Sequence, residues 1–134
     1  MVGAYLARGS LMGAEGLLFM FSAAPALIHA CMEAWLLLAD DIIARHQQAV
    51  SIDEILLDED VCYNHGSLIS PAMLREFLLP YYQQRLTNAR RRPPDHARPL
   101  PFEVGSDGLF DPIIPLYPGT GTNLLAPLEV VARS

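Results

Sequence analysis

The stretch "DEDVCYNHGSLISPAMLREFLLPYY", residues 58–82, sets the expected fold. Its three leading acids end a short apolar run, "EILL", which predicts a buried strand near residues 53–57. Ser70 and Pro71 form a helix-start signal, because serine caps free backbone N–H groups and proline fits the first helical turn. The helix is expected to kink at Pro80, which lacks an N–H. The stretch therefore predicts a strand, a polar loop and a helix in succession.

Similar elements are expected on both sides of this stretch. Helical patterns cover 13–22 and 25–48, and strands are expected at 100–108 and 121–130 with a short helix, "FDPIIPLY", between them. This alternation predicts parallel α/β units within one domain, residues 1–134. The second helix is apolar on much of its circumference, so most of it is expected to be buried. The residues that recur along it at three- and four-residue steps are Leu27, Cys31, Trp35, Leu38, Ile42 and Arg45.

Composition excludes several functions. The chain has 134 residues, 51% of them apolar, which suffices for one modest domain with a core. The net charge of −6 argues against nucleic acid as a partner, since phosphate binding needs a basic surface. All nine basic residues are arginine, so the chain has no lysine for a Schiff base or a P-loop.

The cysteines and the apolar segments bear on location. Cys31 and Cys62 could pair, although a buried Cys31 is the simpler interpretation. With no signal-peptide pattern at the start, a reduced, cytoplasmic setting is expected. The apolar stretch 16–28 is too short to span a bilayer and contains Pro25, so it predicts a core helix and no membrane contact.

Acidic residues follow each expected strand. Asp58, Glu59 and Asp60 follow the first, Asp107 follows the second, and Glu129 closes the third. Because the carboxyl ends of parallel strands face one side, where ligands bind, these acids are expected to converge. Each acid alone is more simply a strand terminator or a helix cap. Three acidic positions in register favour a site.

Other side chains near these acids are weaker candidates. The glycines of "GSDG", residues 105–108, permit positive φ and close approach of a ligand. Cys62 and His65 could bind a metal together with an acid, but no second cluster of His and Cys accompanies them, so no metal is expected. Tyr63 could line a pocket, whereas the Tyr81–Tyr82 pair is more simply packing.

Several segments together resemble the uroporphyrinogen decarboxylase superfamily. The segment "EDVCYNHGSLISPAMLREFLLPYYQQ" (59–84) resembles its central strand, loop and helix motif. "VGSDGLFDPIIPL" (104–116) resembles its next strand with an aspartate-glycine turn, and "GTNLLAPLEV" (121–130) resembles the strand that closes on "PLE". "LMGAEGLLFMF" (11–21) resembles the helical segment upstream. The resemblance implies an α/β fold that forms about half of a (β/α)8 TIM barrel with parallel strands.

The superfamily includes uroporphyrinogen decarboxylases, which act without metal or cofactor in porphyrin and haem biosynthesis, and zinc-dependent corrinoid or coenzyme M methyltransferases. The methyltransferases carry zinc ligands in an "H.CG" motif, where this chain has Gly105 and Asp107. The resemblance therefore implies cofactor-independent decarboxylation of a porphyrinogen-type or related carboxylated small molecule. The expected catalytic residues are Asp107, Glu59 and Asp60, and the expected substrate-binding residues are Gly105, Ser106, Gly108, Tyr63, His65 and Glu129.

The chain also departs from the family pattern. The family barrel has ~250 residues or more, and its substrate-gripping N-terminal arginine and aspartate and its C-terminal histidine have no counterpart here. Arg8 is a possible contact for a substrate carboxylate, and Asp60 falls near the family's active-site serine. Half a barrel leaves two unpaired edges, so a homodimer or a missing half is expected. The alternatives are a methyltransferase relative with Cys62, His65, Glu59 or Asp107 as zinc ligands, or an inactive fragment.

Overall fold

The computed structural model describes residues 9, 12–92 and 99–126 of the chain. It begins with two helices, α1 (Ala14–Ala23) and α2 (Pro25–Ala49), which are bent by 117° relative to each other. Both helices are confirmed to within one residue of their expected ends. Across the described ranges, no single helix has the length and apolarity needed to cross a membrane, and α1 and α2 reach that composition only as a bent pair.

The buried face of α2 differs from the prediction. Its buried residues are Ile28, Met32, Trp35, Ala39 and Ile43. Of the expected stripe only Trp35 is buried; Cys31 is half-buried, while Leu27, Leu38 and Ile42 are exposed. The expectation that most of this helix is buried was therefore wrong. A helix with apolar residues on nearly all sides offers several stripes of the same spacing, and packing selects one of them.

The strands form one parallel sheet and one small hairpin. In chain order they are β1 (Ile55–Asp58), β2 (Cys62–Tyr63), β3 (Gly66–Ser67), β4 (Phe102–Gly105) and β5 (Leu124–Ala126). The parallel sheet has the order β1-β4-β5, which confirms the predicted parallel α/β arrangement. The antiparallel pair β2-β3 lies where the sequence predicted only a loop. Both β1 and β4 are shorter than the strands expected at 53–57 and 100–108.

A helical segment connects β1 to β4. It comprises α3 (Pro71–Met73), a π-helical turn (Leu74–Leu78) and α4 (Leu79–Arg91). The predicted start is confirmed, because the Ser70 hydroxyl accepts the Met73 N–H at 3.1 Å. The irregularity before Pro80 is a wider turn, in which the Leu79 N–H bonds to the Leu74 carbonyl five residues back. Pro80 has no N–H to donate, so the regular series of helical hydrogen bonds is interrupted at this point.

The connection from β4 to β5 contains two short 3-10 turns, Ile114–Leu116 and Pro118–Thr120. They replace the short helix predicted from "FDPIIPLY". Three prolines, Pro112, Pro115 and Pro118, interrupt this segment, and each removes a backbone donor that an α-helix would use. The part of the expected last strand beyond Ala126 lies outside the described residues.

The two faces of the parallel sheet have different surroundings. Leu57, Phe102 and Val104 are completely buried and share one core with the helices. On the other face Leu56 and Leu124 are 42% and 43% exposed. Within the described ranges the outer edges of β1 and β5 have no strand partner. The closed barrel therefore stays a prediction, while an α/β fold with a parallel three-stranded sheet is present.

Candidate functional site

Parallel pairing brings two chain segments together at the carboxyl end of the sheet. Asp58 is level with Gly105, and Gly105 is level with Ala126. Past the strands, the Glu59 N–H donates to the Gly105 carbonyl at 2.8 Å, and the Ser106 N–H donates to the Ala126 carbonyl at 3.1 Å. The residues that follow β1 and β4 therefore leave the sheet side by side.

Three carboxyl groups, Asp58, Asp60 and Asp107, form what we call the acidic edge. All three residues are exposed. Partial burial raises the pKa of Asp60, and the negative charges of Asp107 and Asp58 raise it further. Asp60 is therefore close enough to each of the other two carboxyls to interact with it through space. Glu129 and Arg8, the other candidates, lie outside the described residues.

Glu59 points in the opposite direction from its two neighbours. Its side chain is 3% exposed and accepts a hydrogen bond from the Tyr82 hydroxyl of α4. Successive side chains of an extended strand face opposite sides, so an inward Glu59 accompanies an outward Asp58 and Asp60. Glu59 thus lies behind the acidic edge and not on the solvent-facing rim where the sequence placed it.

Glu59 belongs to a buried polar cluster with Tyr82, Arg85 and Tyr117, three side chains that are completely buried. Burial raises the pKa of Tyr82, and the charge of Glu59 adds to this increase. Burial lowers the pKa of Arg85 to about 10, so this guanidinium still carries its charge at neutral pH. It stacks over the Trp35 ring at 5.0 Å from the ring centre. A buried cation therefore stands near the buried Glu59 carboxylate.

The sequence of α4 contains a signal for this cluster. Tyr82 and Arg85 fall at helical spacing among Leu78, Leu86 and Ala89, all of them buried. An arginine within an apolar stripe is rarely buried unless it meets an anion or an aromatic ring. That pattern pointed to an inward carboxylate, although nothing in it identified Glu59 as the partner.

Ser106 holds the loop that follows β1. Its hydroxyl accepts the N–H groups of Val61 and Cys62, both at 3.2 Å, and lies 3.2 Å from the Asp107 carbonyl, to which it donates. The residue is 3% exposed. These contacts occupy the hydroxyl. Ser106 therefore fixes the loop after β1 beside Asp107.

Two of the predicted ligand-contacting glycines have close backbone neighbours. Gly108 has φ of 85°, and a Cβ placed on it would lie 2.6 Å from the Tyr63 backbone. The Leu109 N–H donates to the Tyr63 carbonyl at 2.8 Å. A Cβ on Gly105 would lie 3.1 Å from the Ala126 carbonyl oxygen. Glycine is therefore needed at Gly108 for packing, whether or not a ligand approaches, while at Gly105 a side chain would make only a tight contact.

The hairpin carries the remaining candidates. Tyr63 and His65 are exposed, and their rings meet edge to face at 5.8 Å. Cys62 is buried, and burial raises the pKa of its thiol to about 11 against the opposing hydrogen bonds of Ser106 and Ser67.

The alternative zinc site requires three or four ligands in one group. In the part of the chain that the structure describes, no three His, Cys, Asp or Glu side chains are grouped closely enough to hold a metal ion. Cys62, His65, Glu59 and Asp107 are thus not assembled as a ligand set. Cys31 and Cys62 are both free thiols, so the pairing that the sequence left open is absent.

A shallow depression of about 200 Å³ lies between the π-helical turn, α4 and the 3-10 turns. Arg75 and Gln83 supply its longer polar side chains, and Leu79, Pro80 and Leu116 supply apolar surface. None of the predicted site residues lines it.

No family model matches the chain, and comparison with curated proteins and with solved structures gives no match. The resemblance to the uroporphyrinogen decarboxylase superfamily therefore depends on the quoted motifs alone.

Proposed function

We propose that this chain is a uroporphyrinogen-decarboxylase-like half-barrel whose acidic edge binds a small carboxylated substrate and supports its decarboxylation without a cofactor. The observation that carries the proposal is the grouping of Asp58, Asp60 and Asp107 at the carboxyl ends of two adjacent parallel strands. This is the side of a parallel α/β sheet at which ligands bind. Exposed Tyr63 and His65 on the adjoining hairpin offer further contacts.

The chemistry suits carboxyl groups that differ in their affinity for protons. Decarboxylation of an acetate side chain on a pyrrole ring breaks one C–C bond, releases CO2 and returns one proton to the remaining carbon. The ring is protonated first and accepts the electron pair as CO2 leaves. The exocyclic carbon then takes up a proton while the ring loses the one it had gained, so one proton is consumed overall. Asp107 is assigned to bind the pyrrole N–H groups of the substrate, as the family resemblance implies. Asp60, whose pKa is raised, is assigned to proton donation. Glu59 lies behind the edge, so it is assigned no substrate contact.

The proposal includes a partner. The unpaired edges of β1 and β5 and the exposed Leu56 and Leu124 favour completion of the sheet by a second copy or by further barrel strands. A cytoplasmic setting suits two free thiols. Light scattering during size-exclusion chromatography tests this part of the proposal. A stable monomer at micromolar concentration would contradict the second-copy form.

The activity test uses the full chain with uroporphyrinogen under anaerobic conditions, followed by oxidation and chromatography of the porphyrin products. We expect products that have lost one or more CO2 groups. Asp107→Asn is expected to abolish their formation. Asp41→Asn is the matched control, because Asp41 is an exposed aspartate of α2 that pairs with Arg45 at 2.8 Å. No product from the natural chain, or equal rates for both variants, would contradict the proposal.

A second proposal is a non-catalytic module with the same fold. It is favoured because several predicted site residues have packing roles: Glu59, Gly105, Ser106 and Gly108. This proposal expects Gly108→Ala to lower stability and expects no turnover from any form of the protein. Product formation that depends on Asp107 would exclude it.

A further inference from the structure

We infer that Tyr82 is a positioning residue for the acidic edge: its hydroxyl holds Glu59 inward and thereby keeps Asp58 and Asp60 facing outward beside Asp107. The inference rests on the proposed function only for what the acidic edge does, and not for its geometry. The direct observation is the hydrogen bond from the Tyr82 hydroxyl to the Glu59 carboxylate, with both side chains buried.

The geometry of an extended chain carries the first step. Asp58, Glu59 and Asp60 are exposed, buried and exposed in turn, which is the alternation of a strand. The Glu59 N–H donates to the Gly105 carbonyl at 2.8 Å, so the backbone there continues the pairing of β1 with β4. If the backbone turns so that the Glu59 side chain leaves its inward position, the two neighbouring aspartates change direction as well.

The Tyr82 ring is held in place by packing between two helices. Its ring packs edge to face against Trp35 with centres 5.9 Å apart, and it lies on the face of α4 that is packed against α2. A ring fixed on two packed helices presents its hydroxyl at a set position. Arg85, one turn later on α4, adds a positive charge that attracts the same carboxylate.

Ser106 and Tyr82 fix the loop after β1 from different directions. Ser106 binds the N–H groups of Val61 and Cys62 from within the strand ends themselves. The Tyr82 hydroxyl comes from the helical layer, 23 positions away from Glu59 along the chain. Tyr82 therefore couples the packing of α4 to the direction of the acidic side chains, which Ser106 does not.

The test compares Tyr82→Phe with Tyr81→Phe in the full-length chain. The second variant is a matched control, because the Tyr81 hydroxyl has its hydrogen-bond partner on α2, 2.9 Å away at His29 Nδ1. The carboxyl carbon of Asp60 is followed by NMR across pH. We expect Tyr82→Phe to move the Asp60 midpoint down towards that of an ordinary aspartate, because Asp58 and Asp107 no longer stay close. Tyr81→Phe is expected to leave the midpoint unchanged.

A purely structural role of Tyr82 would lower the melting temperature and leave the Asp60 titration as it is, and that outcome overturns the inference. If Tyr82→Phe does not fold, Glu59→Gln decides, since glutamine still accepts the tyrosine hydroxyl. Slow hydrogen exchange at the amide of residue 59 is then expected to persist, and its loss would overturn the inference. Both measurements are made without substrate. A failure to detect decarboxylation would therefore count against the proposed function and not against the positioning role of Tyr82.

Discussion

Gly108→Ala separates a packing role from a ligand-binding role at the acidic edge. Gly108 adopts φ of 85°, a left-handed conformation that costs an alanine about 1–2 kcal/mol. The new Cβ would also lie 2.6 Å from the Tyr63 backbone, and relief of such over-packing costs about 1–3 kcal/mol more. We therefore expect Gly108→Ala to lower the free energy of unfolding by about 2–5 kcal/mol.

The matched control is Gly119→Ala in the second 3-10 turn. A Cβ on Gly119 meets no atom within 4 Å, and its φ is outside the left-handed range. This control is expected to be neutral or to stabilise by up to about 1 kcal/mol, because alanine restricts the unfolded chain. A role in ligand contact alone would impair turnover and leave stability unchanged.

Urea unfolding followed by Trp35 fluorescence measures both variants. Trp35 is the single tryptophan and is 6% exposed, so its emission reports loss of the core. The slope of free energy against urea is expected to stay constant while the midpoint falls for Gly108→Ala. A difference between the two variants of less than about 0.5 kcal/mol would refute the packing argument.

Two further predictions concern the core and its pH dependence. Met32→Ala should cost about 2–5 kcal/mol because Met32 is buried, whereas Leu37→Ala should stay within about 0.5 kcal/mol because Leu37 is 73% exposed. Equal losses in urea unfolding would contradict the observed face of α2. Burial raises the pKa of Cys62 from 9.0 to about 11, so the unfolded chain loses this thiol proton first. The resulting contribution to stability is present below pH 9 and is lost as pH rises towards about 11. Cys62→Ser should weaken that fall in unfolding free energy, and an unchanged pH profile would contradict the assignment.

The helix starts and the parallel sheet were predictable from the sequence because their causes are local. Ser70 and Pro71 begin a helix wherever the chain places them, and Pro25 opens α2 in the same way. The alternation of strands and helices similarly indicates parallel pairing. Strand lengths were less accurate, because a strand ends where its partner ends, and the partner of β1 lies more than forty residues away.

The buried face of α2 could not be predicted from its own sequence. Leu27 and Leu38 lie on one apolar stripe and Ile28 and Ala39 on another, with the same spacing one position apart. Contact with α1, the π-helical turn and α4 favours the second stripe. Hydrophobic periodicity identifies a helix and its spacing, and it decides the inward face only where the other faces are polar.

The sequence by itself determined that acidic residues stand at the carboxyl ends of β1 and β4, since this depends only on chain order. Tertiary structure alone decided which of the adjacent acids reach solvent. Glu59 and Asp60 are chemically alike, yet one meets the Tyr82 hydroxyl in the core and the other lies beside Asp107. The reason is that strand pairing sets the alternation of side chains, and the pairing partner and the helix that receives Glu59 are both distant in the chain.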